Sequence, residues 1–432
     1  MDVNQKIHNS ISKENLITTR RDFHQYPEPG WVEFRTASII ATKLRDLGFT
    51  IQTGKSIMEE KDRMGIPNSE ELSTHWQRAL LQGGNPEFME AMKGGFTAVG
   101  ASLYCGDGPI IAMRFDMDAL EIEEASEDNH LPSQKKFRSK NKRFMHCCGH
   151  DGHSAIGLEI AKVISEIKEH LKGTIKLIFQ PAEEGVRGAK CISTGKFLDD
   201  VDYIYACHFW SQMPLKSIVC GMNGTMATSK FDAIFHGAPA HAGIEPEKGN
   251  NALLAAATAT LNLHALPSFK GNCSLNVGKL ISGTGRNIVP PKAILSFETR
   301  GTNTKYDILI QERAFQILHT SATMQNCQLE VTPMGSAKSV ECNPEIIQII
   351  KKCSEEIDFF ETITPSDKEN RGSEDFTFMM EKVKANKGKA CFIGIGANIN
   401  NQGHHTRQFD FAEEVMAPTV ELFVKIAVEI MK

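Results

Sequence analysis

Apolar and polar positions along this chain follow two alternating periods. Residues 13–48 carry apolar positions at helical spacing, broken by Pro27, Pro29 and Gly30, which no continuous helix accommodates. Residues 55–95 are polar and helix-compatible without a strong apolar stripe, and read as an inserted excursion more than a core element. After them, residues 109–115 form an apolar run short enough for a buried strand, ending in Asp116-Met117-Asp118. A helix is predicted over 154–167. A strand over 174–179 runs into Gln180-Pro181-Ala182-Glu183-Glu184, and a third over 203–207 ends at His208. Such alternation predicts an α/β fold with a largely parallel sheet. Functional groups gather at the carboxyl ends of strands in these sheets, so three polar clusters placed just after strands point to one site.

From about Met226 the order changes. Strands are predicted over 230–236, 274–281, 293–300 and 328–332, with helices over 251–263 and 306–320. That order is βαββαβ, a split ferredoxin-like sandwich, read as a domain inserted into the first. After Gly335 the chain returns to the earlier pattern, with a strand over 390–395 and a closing helix from Ala412.

Composition narrows the function classes. The 432 residues suggest two or three domains at about 150 residues each. A net charge of −5, with 23% charged and 41% hydrophobic residues, argues against a nucleic-acid binder. The sequence predicts neither a membrane span nor a signal peptide, so the expected location is the cytosol. Eleven cysteines, scattered without framework spacing, read mostly as buried thiols of a reducing compartment.

The densest chemical signal is Met145-His146-Cys147-Cys148-Gly149-His150-Asp151-Gly152-His153. Thiolate with imidazole is a ligand set favoured by zinc and similar ions, although a buried loop with a helix-capping Asp would carry the same residues. Glu183-Glu184, directly after a buried strand, is costly to ionise unless one acid meets a cation, which would free the other for proton transfer; a solvated loop could also carry the pair. His208 follows a strand, and His404-His405 lie in a Gly-containing turn. Together these residues supply enough ligands for two metal ions bridged by one shared ligand, with a Glu to spare as base.

In chain order, Arg20-Arg21-Asp22-Phe23-His24 with Trp31-Val32-Glu33, Arg114-Phe115-Asp116-Met117-Asp118-Ala119-Leu120, Met145 through His153, Gln180 through Gly185, His241-Ala242 and Gly372-Ser373-Glu374-Asp375-Phe376 resemble the signatures of the M20 family of metallo-aminoacylases and carboxypeptidases. The branch is that of hippurate and auxin-conjugate amidohydrolases. The resemblance implies a mixed-sheet, zinc-exopeptidase-like catalytic domain over 1–224 and 336–432, and a ferredoxin-like lid and dimerisation domain over 225–335.

It places the bridging ligand on Cys148 and further ligands on His150, Glu184, His208 and His405, for two divalent ions, Zn²⁺ or Mn²⁺. His404 is the neighbour that competes with His405, and Cys147 stands where the family usually has Ala. Glu183 matches the general base. Asp116 matches an acid beside the metals, with Asp118 its rival. His241 and Asn287 match lid residues that reach a partner's site, and Arg300 matches a residue that pairs with the substrate's carboxylate.

The implied activity is hydrolysis of an N-acyl amino acid, with p-aminobenzoyl-glutamate leading and hippurate-like substrates as the alternative. The implied assembly is a homodimer, or a heterodimer with a homologous subunit, through the lid, with no nucleic acid or membrane partner. A non-catalytic partner subunit is the other reading, and the intact set of base and ligands argues against it.

Overall fold

A computed structural model describes residues 3–369, 372–399 and 402–432. Twelve strands are found among the described residues: β1 (Thr50–Thr53), β2 (Val99–Tyr104), β3 (Ile110–Asp116), β4 (Thr174–Gln180), β5 (Tyr203–Trp210), β6 (Ser217–Val219), β7 (Ala227–His236), β8 (Cys273–Ser282), β9 (Lys292–Gly301), β10 (Gln328–Ala337), β11 (Thr362–Thr364) and β12 (Lys389–Gly396). Eight form one mixed sheet in the order β1-β2-β4-β3-β5-β12-β6-β11. Its centre, β4-β3-β5-β12, is parallel. These strands are apolar on both faces because helices cover both, as parallel sheets require.

Register then positions the site. Asp116 stands opposite Gln180, and His208 opposite Gly394, so the carboxyl ends of four central strands emerge on one edge of the sheet. The helix His150–Glu166, nearly all of it buried, and the helix Met416–Ile430 pack beside this sheet. Behind them, Glu28 caps the helix Phe34–Asp46 by accepting the backbone N–H groups of Arg35 and Thr36 at 3.0 and 2.8 Å.

The remaining four strands form a separate antiparallel sheet in the order β10-β7-β9-β8, with the helices Ala252–His264 and Thr304–Met324 on one face. Phe231, Ala233, Phe235, Leu295 and Phe297 alternate inward along β7 and β9 and pack a second core with Ala255, Ala256, Ala314 and Leu318. The chain leaves the large sheet after β6 and rejoins it at β11.

Several sequence expectations are corrected. The helix predicted from 154 begins at His150, so four residues of the metal-type cluster, His150 to His153, lie in its first turn. The strand predicted to end at 207 runs to Trp210, which puts His208 inside β5 rather than after it. The closing helix begins at Met416, after a 3-10 turn at Glu413–Val415. The 55–95 segment is no mere excursion: its helices Ser69–Leu81 and Pro86–Met92 bury Ala79, Met89 and Met92 in the main core. On the first of these helices Leu72, Trp76, Ala79 and Leu80 stand at helical spacing against the core, a stripe interrupted by polar residues.

Candidate metal centre

The cluster is assembled where the chain turns sharply. Gly149, at φ +94°, lets the backbone pass from Cys148 directly into the helix starting at His150. Ala182 (φ +50°) and His405 (φ +60°) are non-glycine residues in the left-handed region, at or beside two further ligand positions. Strain of this kind collects at functional sites, where the surroundings over-determine the geometry.

Two groups of potential ligands share one atom. Cys148, His150 and His208 form one, and Cys148, Glu184 and His405 the other, with the ligand atoms of each lying within 4.8 Å of one another. Cys148 Sγ is 3.3 Å from His208 Nε2, and His405 Nε2 is 3.1 Å from Glu184 Oε1. The neighbouring thiol does not share this role: Cys147 is packed into the apolar core and belongs to neither group.

Hydrogen bonds fix which nitrogen each ring offers. His150 Nδ1 donates to the Asp118 carbonyl oxygen at 2.9 Å, and His208 Nδ1 donates to the Phe209 carbonyl at 2.9 Å. Each Nε2 is therefore turned to the cluster, and that of His150 is buried without a hydrogen-bond partner. Outer partners orient metal-binding histidines in this way. His404 is different, because its Nε2 accepts the backbone N–H of Ser211 at 3.2 Å. Its Nδ1 faces Cys148 Sγ at 3.8 Å, and it is His405, not His404, that falls in a group of potential ligands.

Charge within the cluster favours a cation. Burial would keep the His150 ring neutral, but Asp116 and Cys148 outweigh it and raise its pKa well above the ordinary value. A divalent ion at Nε2 would sit in the same field. Burial, then the nearby rings of His153 and His404, holds His208 neutral, and burial with His405 pulls His404 down to about 3. The orphaned His150 nitrogen, the Glu184 Oε1 that faces His405 Nε2 and the thiol-imidazole-carboxylate donor set all fit divalent metal ions.

The two aspartates divide their duties. Asp118 accepts the backbone N–H groups of Glu183 and Glu184 at 3.1 and 3.0 Å, clamping both acids. Asp116 accepts from His153 Nδ1 and from Arg114, each at 2.6 Å. Burial alone would raise Asp116, but His150, Arg114 and His153 hold it well below the usual carboxylate range, so it stays charged. It touches His153 and lies 3.8 Å from His150 Nε2, both on the helix beside the site.

Glu183 shows the opposite behaviour. Burial, then the charges of Glu374 and Glu184, push its pKa well above the ordinary value, and its Oε2 lies 3.9 Å from His150 Nε2. A carboxylate whose hold on a proton is strengthened in this way is suited to take and return one.

A cavity of 280 Å³ opens over this cluster, lined by Cys148, Glu183, Glu184, His208 and His405 below and by Thr228, Lys230 and Arg300 of the second sheet above. Arg300 is thus at the site, although Glu298 already grips its Nε and Nη2 at 2.9 and 3.2 Å. His241 and Asn287 do not line the cavity. They are exposed and adjacent to each other, the Ala242 N–H donating to the Asn287 carbonyl at 3.0 Å.

Sequence reasoning left other residues without a role. Arg114 donates to Gln180, Asp116 and Glu374, tying three strand and loop ends together. Glu33 accepts from Thr97 and the Ala182 N–H, supporting the strained turn before Glu183. A charged residue inside an apolar strand, as Arg114 is, was the available signal.

A metallohydrolase is the class that this fold and donor set define. The model of peptidase family M20/M25/M40 matches residues 112–429, and the chain belongs to that family. It is 42% identical over 421 residues to a subunit of the p-aminobenzoyl-glutamate hydrolase of Escherichia coli (strain K12), covering 97% of this chain and 96% of that one. It is also 44% identical over 404 residues to the indole-3-acetyl-aspartic acid hydrolase of Enterobacter agglomerans, covering 93% and 92%. The crystal structure of an aminobenzoyl-glutamate utilization protein from Klebsiella pneumoniae superposes with a TM-score of 0.85 at 36% identity, covering 99% of this chain and 98% of that one. The protein is a metal-dependent amidohydrolase of N-acyl amino acids. No helix among the described residues is long and apolar enough to cross a membrane.

Proposed function

We propose that this chain hydrolyses the amide of p-aminobenzoyl-glutamate, releasing p-aminobenzoate and glutamate, with Cys148, His150, Glu184, His208 and His405 holding two divalent ions, Zn²⁺ or Mn²⁺. The observation that carries the reading is the pair of ligand groups sharing Cys148, with Glu183 packed against them, its carboxylate within 4.8 Å of ligand atoms of His150 and Glu184. Likeness to one chain of a p-aminobenzoyl-glutamate hydrolase supports the substrate. When bound, the ions supply Lewis-acid polarisation of the amide carbonyl and acidify water.

The protein's own groups then move the proton. Glu183 takes it from the attacking water and returns it to the leaving amine, a general acid-base role worth about 10²- to 10⁴-fold. Asp118 keeps Glu183 and Glu184 in place through their backbone N–H groups. Asp116 holds His153, and with Arg114 it braces the strand ends beneath the site.

The segment 225–335 acts as a lid and dimerisation domain on the catalytic body, 1–224 with 336–432. The edge strand β8 exposes Leu280 and Ile281, and the loops bearing His241 and Asn287 expose Ile244 and Ile288, an apolar margin suited to a second copy or a homologous subunit. Exposed on that margin, His241 and Asn287 complete the site of the paired protomer, His241 stabilising the oxyanion. The similar proteins of Escherichia coli and Haemophilus influenzae are named as one subunit of a hydrolase and its homologue, which supports a heterologous partner.

Protein stripped by a chelator and reloaded with Zn²⁺ or Mn²⁺, assayed on p-aminobenzoyl-glutamate alone and with a homologous second subunit, tests this. Turnover only after reloading is expected; turnover in the stripped protein contradicts it. Mixing His241→Ala with Glu183→Gln chains restores activity if one copy completes another. No recovery despite demonstrated exchange excludes sharing within a homodimer.

A further inference from the structure

The face of the second sheet that turns toward the metal centre holds a cation the mechanism does not use. Lys230 stands on β7, its side chain partly buried, and lines the same 280 Å³ cavity as Glu183 and Glu184. Among the described residues, its ammonium has no hydrogen bond or ion pair. Directly across the strand pair is Glu298, but that carboxylate is committed to a forked bond with Arg300. The fork uses Nε and Nη2 of Arg300 and leaves Nη1. Two cationic groups therefore face one cavity with donors to spare.

Their spacing is set by register. Lys230 pairs with Glu298 and Thr228 with Arg300, so Lys230 and Arg300 are diagonal neighbours on one face. Such diagonal positions lie roughly 7 to 8 Å apart, within reach of long side chains closing on one small ligand. Two carboxylates joined by a short carbon chain, as in glutamate or aspartate, match that pair. Burial of an ammonium without a partner is unfavourable. Burial accordingly lowers the Lys230 pKa, with Glu298, then Glu183, opposing it. A bound carboxylate would satisfy the group.

We propose that Lys230 determines specificity for the amino-acid half of the substrate: it takes the side-chain carboxylate of an acidic amino acid while Arg300 Nη1 takes the α-carboxylate, so that N-acyl glutamate or aspartate is preferred to N-acyl glycine. The inference rests on the amidohydrolase reading and adds the residue that selects the acidic amino-acid half. The resemblance of the motifs singles out Arg300 alone; Lys230 emerges from the cavity and from the engagement of Glu298.

The test compares benzoyl-glutamate with benzoyl-glycine, which share an acyl group, in the wild type, Lys230→Met and Lys230→Arg. For Lys230→Met, KM for the glutamate conjugate rises about 10- to 100-fold, the range of a hydrogen bond to a charged group, with kcat largely kept and the glutamate-over-glycine preference lost. Lys230→Arg retains much of the preference. A Lys230→Met protein that melts like the wild type and keeps the wild-type preference overturns the proposal, as does equal weakening toward both conjugates. Calorimetric binding of benzoyl-glutamate and benzoyl-glycine to Glu183→Gln protein, with and without Lys230→Met, reads the same selectivity without turnover. Absence of all turnover in the metal-loaded wild type, assayed both alone and with a homologous second subunit, refutes the amidohydrolase reading, while the binding preference still decides the role of Lys230.

Discussion

His150 is held by Asp118 through a main-chain oxygen, the Nδ1–H donating to the Asp118 carbonyl at 2.9 Å. The carboxylate of the same aspartate accepts the backbone N–H groups of Glu183 and Glu184. One residue at the end of β3 thus aligns a candidate ligand from the helix side with the base and a second ligand from the loop after β4. Asp118→Asn replaces one accepting oxygen by an NH₂ group and leaves a buried N–H unpaired, at a cost of about 1–3 kcal/mol. Metal affinity should fall about 10- to 100-fold, as for other losses of an outer partner. Competition with a chromophoric chelator measures it, and unchanged affinity would contradict the clamp.

The two adjacent thiols are predicted to separate cleanly. Cys148→Ser removes the atom common to both ligand groups and should lose bound metal by elemental analysis. Cys147→Ala alters only a core contact and should retain it. The reverse result would exchange their assignments.

Glu183 is predicted to be separable from the ligands. In Glu183→Gln, turnover should fall about 10²- to 10⁴-fold while both ions stay bound, because the proton acceptor is removed and no ligand position is vacated. Loss of metal in this variant would show that Glu183 and Glu184 have been interchanged.

A pH dependence of stability follows from His24, which lies behind the metal-binding helix. Its Nδ1 meets Asp151 at 2.8 Å and its Nε2 meets Glu124 at 3.0 Å, all three groups buried. Burial lowers its pKa, but the charge of Glu124 and the bond to Asp151 outweigh it and raise the value to about 9. A raised histidine stabilises fully below its unfolded pKa of about 6.5, and the contribution is lost as pH rises through the folded value. Urea denaturation of the wild type and His24→Gln should show a stability gap narrowing by about 3 kcal/mol between pH 6 and pH 9.5. A gap independent of pH would show that His24 is neutral when folded.

The ligand cluster was legible because Cys148 and His150 stand in a dense run of His and Cys and because Glu183 and Glu184 follow an apolar strand, which a parallel sheet delivers to one edge. The split ferredoxin order was legible too, since Phe231, Ala233, Phe235, Leu295 and Phe297 alternate with period two. Three aspects were not. The strand β5 continues past Cys207 because His208 and Trp210 pair with Gly394 and Gly396, a contact remote in sequence. The different surroundings of His404 and His405 depend on contacts with Ser211 and Cys148, remote in sequence. Lys230 reads as an ordinary solvated strand residue until Arg300 is seen to occupy Glu298.

The central claim is that Cys148 is shared by two ions, and an anomalous-scattering map of crystals of the Zn²⁺-loaded protein measures it most directly. Two peaks roughly 3.5 to 4 Å apart, both bonded to Cys148 Sγ, are predicted. One is expected against His150 and His208, the other against Glu184 and His405. A single peak, or two that do not both touch Cys148, would contradict the account.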